Sequence, residues 1–353
     1  MKILHISDIH TDLEAAKVAV DFANENSVDA IAISGDIAGP YFRKTDSENV
    51  FTVNNLLSNL RDKFKFRGSL LDLSTLILDE KNENSKKMRA RITGADIKRV
   101  AEDFRSFFNA AEDSSRKTYK ALEDIIKGFK LPGDECFPES RVLMVPGNWD
   151  TSTMLGELSR YTLHGRDCLY ELDDVSFVGF GASSELMSHF IPQDLEINFS
   201  GQMAYNYLSQ FSDGHAADVC ITHCPPYRAA DFVTIKGEDG KTIKNHIGDL
   251  GILAYLLECQ PTVVLCGHAH NPLIHAKGKT VVINSGNLGR YHNFIDSEQV
   301  GPSGSMALVS LDENTFFDKA EFYQLTDVKK GLDSITRLGG MQLNKDTHIL
   351  EQR

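Results

Sequence analysis

Five short apolar runs in this chain each end in side chains of the kind that bind metals. "KILHISDIH" ends in Asp8 and His10, "AIAISGD" in Asp36, "VLMVPGN" in Asn148, "DVCITH" in His223, and "VVLCGHAH" in His268 and His270. Runs so rich in Val, Ile, Ala and Leu read as strands covered on both faces. Between the first two lies a stretch, 12–26, with Leu13, Ala16, Val20 and Ala23 at helical spacing and Asp12 or Thr11 placed to cap it. Strand, helix, strand in that order predicts an α/β fold. In an open α/β sheet the ligand site lies outside the carboxyl ends of the strands. All seven polar side chains fall there.

The rhythm breaks between 41 and 140. Val50, Val53, Leu56, Leu57, Leu60 and Phe64 share one helical face, as do Ile97, Val100, Ala101, Phe104, Phe108 and Ala111, and then Leu122, Ile125, Ile126 and Phe129. The pattern predicts a helical insertion of roughly a hundred residues, a size that could form its own subdomain. After it come "RVLMVPG", a helix from about Thr151 to Arg160, the strands "CLYEL", "VSFVGFG" and "ADVCITH", a helix near 248–258 and "TVVLCG". "PLIHA", "TVVINSG", "SMALVSL" and "FFDKAEFYQL" read as strands of a second sheet. The expected organisation is a main domain from 1–40 and 141–325, a helical insertion at 41–140 acting as a cap or homo-oligomer contact, and a C-terminal tail at 326–353.

Charge narrows the partners. The formal net charge is −13, which disfavours nonspecific binding to long polyanions. Residues 41–140 hold nineteen Lys/Arg against seventeen Asp/Glu, leaving 18 against 33 elsewhere, so the insertion repels an anion least. No apolar stretch approaches a membrane span, and the run directly after Met1 reads as a strand, without the basic and apolar regions expected of a leader. The six cysteines show no paired spacing. These features predict a cytoplasmic protein with no membrane partner.

The polar set itself points to metal. Asp8 and Asp36 bring two negative charges, and the four imidazoles and one amide bring none. A single divalent ion takes about four protein ligands. Seven, with one shared carboxylate, suit two ions roughly 3.5–4 Å apart. Mixed nitrogen and oxygen donors favour Mn, Fe, Zn or Co over Mg or Ca. There is no G-x-x-x-x-G-K-[ST] and no strand-to-helix G-x-G-x-x-G to cradle a nucleotide.

The motifs D-x-H (Asp8, His10), G-D (Gly35, Asp36), G-N-x-D (Gly147 to Asp150), a single His (His223) and G-H-x-H (Gly267 to His270) resemble those of the calcineurin-like metallophosphoesterase superfamily. They span about residues 1–290 and leave 41–140 unmatched. The resemblance implies a four-layer α-β-β-α sandwich of two mixed sheets flanked by helices. It implies that Asp8, His10 and His270 bind one divalent or trivalent ion, that Asn148, His223 and His268 bind a second, and that Asp36 bridges them. It also implies hydrolysis of a phosphate ester by in-line attack of a hydroxide held between the metals. "INSGNLGR" loosely matches the family's N-P-G-S segment, with Ser285 and Asn287 at the proline and serine positions, and makes Arg290 a candidate phosphate contact.

One position departs. Many members have G-N-H-[DE], where the histidine protonates the leaving oxygen. Here Trp149, the sole tryptophan, takes that place. An indole N–H donates a hydrogen bond but transfers no proton at neutral pH. His215, His246 and His292 are the other candidate acids, and Asp150 is a candidate cap for the helix that follows. Trp149 is also a candidate stacking surface for a substrate ring. Good leaving groups need little protonation. The reading that follows is a phosphodiesterase acting on a small phosphodiester or nucleotide. The alternatives are a nuclease for single-stranded or damaged nucleic acid, which the acidic balance disfavours, and a non-catalytic metal-binding scaffold using the insertion to bind partners.

Overall fold

The structure is a computed structural model. It describes all residues except 40–108, 110–111, 135, 185–197, 200, 212–216, 237–241, 290–303, 345–348 and 353. Two large sheets, with strands numbered in chain order, dominate it. The first has the order β17 (Ile349–Gln352), β16 (Ile335–Asn344), β15 (Phe317–Leu325), β14 (Ser305–Leu311), β1 (Lys2–Ile6), β2 (Ala30–Ile33), β3 (Val142–Met144). The second has the order β12 (Leu273–Lys277), β13 (Thr280–Asn284), β11 (Val263–Cys266), β8 (Val219–Thr222), β5 (Val175–Phe180), β4 (Tyr170–Leu172). Two short ribbons pair β6 (Ser183–Ser184) with β7 (Asn198–Phe199), and β9 (Phe232–Lys236) with β10 (Thr242–His246).

Period-two alternation sorts the side chains into layers. Ile3, Ala30, Ala32, Leu143 and Val145 meet Val219, Ile221, Val263 and Leu265 between the sheets. Leu4, Ile6, Ile31, Ile33 and Met144 turn the other way, onto the helix Leu13–Glu25 and the helical stretch 112–126. On the far side, Val178, Cys220, Val264 and Val282 pack on the helices Gly201–Ser209 and Leu250–Cys259. This is the α-β-β-α sandwich of two mixed sheets. Asp12 caps the first helix, accepting from Ala15 N–H at 3.2 Å.

The parallel strands carry the site. In the first sheet β1 pairs with β2 and β2 with β3, all parallel. In the second, β5, β8, β11 and β13 run parallel. The ends of β1, β2, β3, β8 and β11 come together at one edge of the sandwich, through cross-sheet bonds described below.

Several expectations are corrected. "SMALVSL" and "FFDKAEFYQL" join the first sheet, because β14 pairs antiparallel with β1 and places Leu308 opposite Leu4. Only "PLIHA" and "TVVINSG" belong to the second sheet. The expected tail at 326–353 instead holds β16 and β17, paired antiparallel onto β15. β16 is paired on both sides but leaves much of its length facing solvent, with Leu338 exposed, so its apolar signal is weak. The helix after Asn148 is short, Thr153–Glu157. Most of the expected insertion lies outside the described residues. Its last part, 112–126, is helical, with Tyr119, Leu122 and Ile126 buried in the core. No helix among the described residues is long and apolar enough to cross a membrane.

Candidate metal centre

Backbone bonds place the loops that carry the polar side chains. The turn after β1 runs along the turn after β2: Asp8 N–H donates to Gly35 O, His10 N–H to Asp36 O and Thr11 N–H to Ile37 O, each at 2.9 Å. In the second sheet Gly267 N–H donates to His223 O at 3.0 Å. The two sheets meet where His268 N–H donates to Asp8 Oδ2 at 3.0 Å and His223 Nδ1 lies 2.7 Å from Ser34 O. Motif glycines allow this closeness. A Cβ on Gly147 would overlap Asp36 Oδ1, and one on Gly267 would overlap Ser7 Oγ.

The backbone at the site is strained. Asp8, His10, Asp36, His268 and His270 all have positive φ, between 47° and 66°. Non-glycine residues in that region cost on the order of 1–3 kcal/mol each and persist where surrounding structure over-determines them. Five of the seven predicted ligands are held this way. The sequence carries no signal for it, since none of the five is glycine.

All seven predicted ligands lie together. Asp8 Oδ1 is 2.9 Å from His270 Nε2 and 3.8 Å from His10 Nε2. His10 Nε2 is 3.2 Å from His270 Nε2 and 3.9 Å from Asp36 Oδ2. Ligand atoms of Asp8, His10, Asp36 and His270 all fall within 4.8 Å of one another, and these four residues are buried. Metal–donor bonds near 2.0–2.2 Å give neighbouring donors separations of roughly 3–3.5 Å. The Asp8–His270 and His10–His270 pairs have about that spacing, and the other separations in the group are wider. Asn148 Oδ1 lies 2.8 Å from both His223 Nε2 and His268 Nδ1, and His223 Nε2 lies 3.5 Å from Asp36 Oδ2. Asp36 Oδ2 thus faces both groups. Its other oxygen, Oδ1, accepts Trp149 backbone N–H at 2.7 Å.

The donor set fits a cation on a second count. A carbonyl only accepts, so the His223 Nδ1 that faces Ser34 O carries a proton. In a neutral ring the lone pair then sits on Nε2, aimed at the oxygens of Asn148 and Asp36. Either a proton or a metal must sit between them. Without metal the ring holds a proton: burial lowers its pKa, but Asp36, by charge and hydrogen bond, and Asp8 outweigh that and hold it at about 9. Burial pushes His10 down to about 4 and His268 to about 3, leaving both neutral and able to ligate. Asp8 and Asp36 stay ionised despite burial, because His270 and His223 respectively lower their pKa values.

Trp149 is only 6% exposed, and Gly39 packs against it: a Cβ there would lie 2.8 Å from Trp149 Cβ. Little of the indole is open for a substrate ring. Asp150 does not cap the following helix, which lacks any side-chain cap. Its carboxylate accepts instead from Gly147 N–H at 2.8 Å, Ala38 N–H at 3.0 Å and Ile37 N–H at 3.1 Å. Tyr119 O–H donates to it at 3.1 Å, a contact no sequence motif announces. His246 ends β10 and pairs at 2.7 Å with buried Asp231, and its ring meets Tyr227 rather than any of the seven. Arg290, His215 and His292 lie outside the described residues.

No known family profile matches the chain. An uncharacterized protein of Methanocaldococcus jannaschii is 28% identical over 147 residues. That match covers 40% of this chain and 62% of the relative, under two thirds of its length. One solved crystal structure is similar over 92% of this chain and 99% of its own, with a TM-score of 0.54 and 15% identity, a likeness of fold. The TT1561 protein of Thermus thermophilus is 14% identical with a TM-score of 0.47, covering 93% of this chain and 98% of that one. A dimetal phosphatase from Danio rerio is 11% identical with a TM-score of 0.44, covering 91% and 95%.

Proposed function

We propose that this chain, whose fold is that of the calcineurin-like metallophosphoesterases, is a metal-dependent phosphoesterase that favours phosphodiesters. One observation carries the reading. Seven donor side chains from both sheets meet at one edge as two groups that share Asp36 Oδ2. Asp8, His10 and His270 would hold one ion, Asn148, His223 and His268 a second, with Asp36 between them. Ions bound there would supply Lewis-acid charge for the phosphoryl oxygens and an activated water. Mixed imidazole, amide and carboxylate donors suit Mn, Fe, Zn or Co.

The chain's own residues fix the rest. The Ser34 carbonyl sets the His223 tautomer so that Nε2 is the ligating atom, the kind of outer hydrogen bond that orients a metal-bound imidazole. The Trp149 backbone N–H takes Asp36 Oδ1 and turns Oδ2 to the two groups. Trp149 offers no proton to a leaving group, and Asp150 is engaged with backbone and Tyr119. Leaving groups that depart as stable anions are therefore favoured: small phosphodiesters, with nucleotides among them. General acid help is typically worth about 10²–10⁴-fold, and that is the handicap expected on alkyl monoesters.

The test is a metal-loaded assay on paired substrates. Protein stripped with chelator and reloaded with Mn²⁺ is expected to hold about two ions per chain. It should cleave bis(p-nitrophenyl) phosphate much faster than an alkyl phosphomonoester. Faster turnover of the alkyl monoester would sink the diesterase preference, and failure to bind any metal would sink the phosphoesterase itself.

A further inference from the structure

Asp150 is buried, and its carboxylate joins three parts of the chain. It accepts the N–H groups of Ile37 and Ala38, directly after Asp36, and the N–H of Gly147, directly before Asn148. The third part is the helical stretch 112–126. Tyr119 there is fully buried; its hydroxyl donates to Asp150 Oδ1 at 3.1 Å and accepts Thr151 N–H at 3.0 Å. We propose that Tyr119 is a positioning residue of the metal centre, acting through Asp150 to hold the turns that carry Asp36 and Asn148. This rests on the metal-centre reading above.

The physical case is one of constraint. Asp36 sits at φ 52° and Gly35 at φ 92°, so the turn after β2 does not relax into this shape on its own. Asp150 supplies acceptors to the N–H groups on the far side of that turn and to the turn that carries Asn148. Backbone N–H groups hold both carboxylate oxygens, Ile37 and Ala38 on Oδ1 and Gly147 on Oδ2, and the Tyr119 hydroxyl adds a side-chain donor on Oδ1. That hydroxyl is itself fixed by Thr151 N–H, so the helical stretch ties the carboxylate to the segment after Asn148. A segment that sequence motifs leave unmatched thereby supplies a group that braces the site. Leu122, one turn further along the same stretch, is equally buried but packs only in the apolar core, which makes it the natural control.

The experiment titrates Mn²⁺ by calorimetry into chelator-stripped wild type, Tyr119→Phe, Asp150→Asn and Leu122→Ala, with urea unfolding of the same stripped proteins. Removing an outer hydrogen-bond partner typically costs 10–100-fold in metal affinity. Tyr119→Phe is expected at the low end, about tenfold weaker Mn²⁺ binding, with a smaller stability loss in the stripped protein than Leu122→Ala shows, since it leaves the buried Thr151 N–H without this acceptor. Asp150→Asn should lose more. Leu122→Ala should invert the pattern, with a clear stability loss and Mn²⁺ affinity within about twofold of wild type. Equal Mn²⁺ affinity in wild type and Tyr119→Phe overturns the proposal, as does wild-type affinity in Asp150→Asn. A wild type that binds no Mn²⁺ overturns it together with the proposed function.

Discussion

Asp36 divides its two oxygens between structure and chemistry. Oδ1 is held by Trp149 N–H, and Oδ2 faces His10 at 3.9 Å and His223 at 3.5 Å. Asp36→Asn keeps the shape but removes the charge between the two groups. We expect metal content by mass spectrometry to fall to one ion or fewer per chain. Diesterase turnover should drop by about 100-fold or more, beyond what losing an outer partner costs. Retention of two ions would mean that Asp36 does not bridge. Trp149 offers the converse experiment. Its backbone contact to Asp36 does not depend on its side chain, so Trp149→His should leave the metal groups in place while adding an imidazole. Turnover of an alkyl phosphomonoester is expected to rise by about tenfold or more, with aryl diester turnover little changed. An unchanged monoester rate would mean that another residue already serves as the acid.

At the level of elements, the helix Leu250–Cys259 shows how locally this fold is specified. Asp249 caps it, accepting from Gly251 N–H at 2.8 Å and Ile252 N–H at 3.0 Å. Asp249→Ala should cost about 1 kcal/mol in urea denaturation without touching metal content. The strands that feed the site were equally legible, because strands buried on both faces write continuous apolar runs. Their polar ends follow from the α/β rule that places ligands at carboxyl termini. All seven predicted ligands are brought together for that reason. Other elements were not legible. Alternation in "SMALVSL" shows a strand but cannot name its partner, and β14 reaches β1 across some three hundred residues. β16 lies between β15 and β17 but exposes much of its length, so its apolar pattern is weak. The left-handed backbone at Asp8, His10, Asp36, His268 and His270 has no glycine to announce it. Asp150 read as a cap because Asp before a helix usually caps. Its actual partners, Ile37 and Tyr119, lie 113 and 31 residues away.

The whole molecule should show the metal centre in its pH dependence. In the metal-free chain His223 has a folded pKa of about 9, above its ordinary value near 6.5. A raised histidine stabilises fully below 6.5, and that stability is lost as pH rises towards 9. His5 and His268 at about 3, and His10 at about 4, are lowered by burial, so they act in the opposite direction. Their cost is greatest at acid pH and fades as pH rises to 6.5. Asp150, raised to about 6 by burial and the nearby charge of Asp36, loses stability between its ordinary value and pH 6 and offsets part of that gain. Above pH 6.5 only the His223 contribution in this set still changes. Stripped protein should therefore have its highest Tm near pH 6.5 and decline towards pH 9. Metal binding requires His223 to give up its Nε2 proton, since Nδ1–H stays on Ser34 O. Metal-loaded protein should hold its Tm over the same range, so the gap between loaded and stripped protein widens with pH. The same exchange can be counted directly. At pH 7.5, Mn²⁺ titrations in buffers of different ionisation enthalpy should report about one proton released as the second group fills. Heats independent of buffer would mean that His223 is already neutral without metal, so that Asp36 does not hold a proton on it.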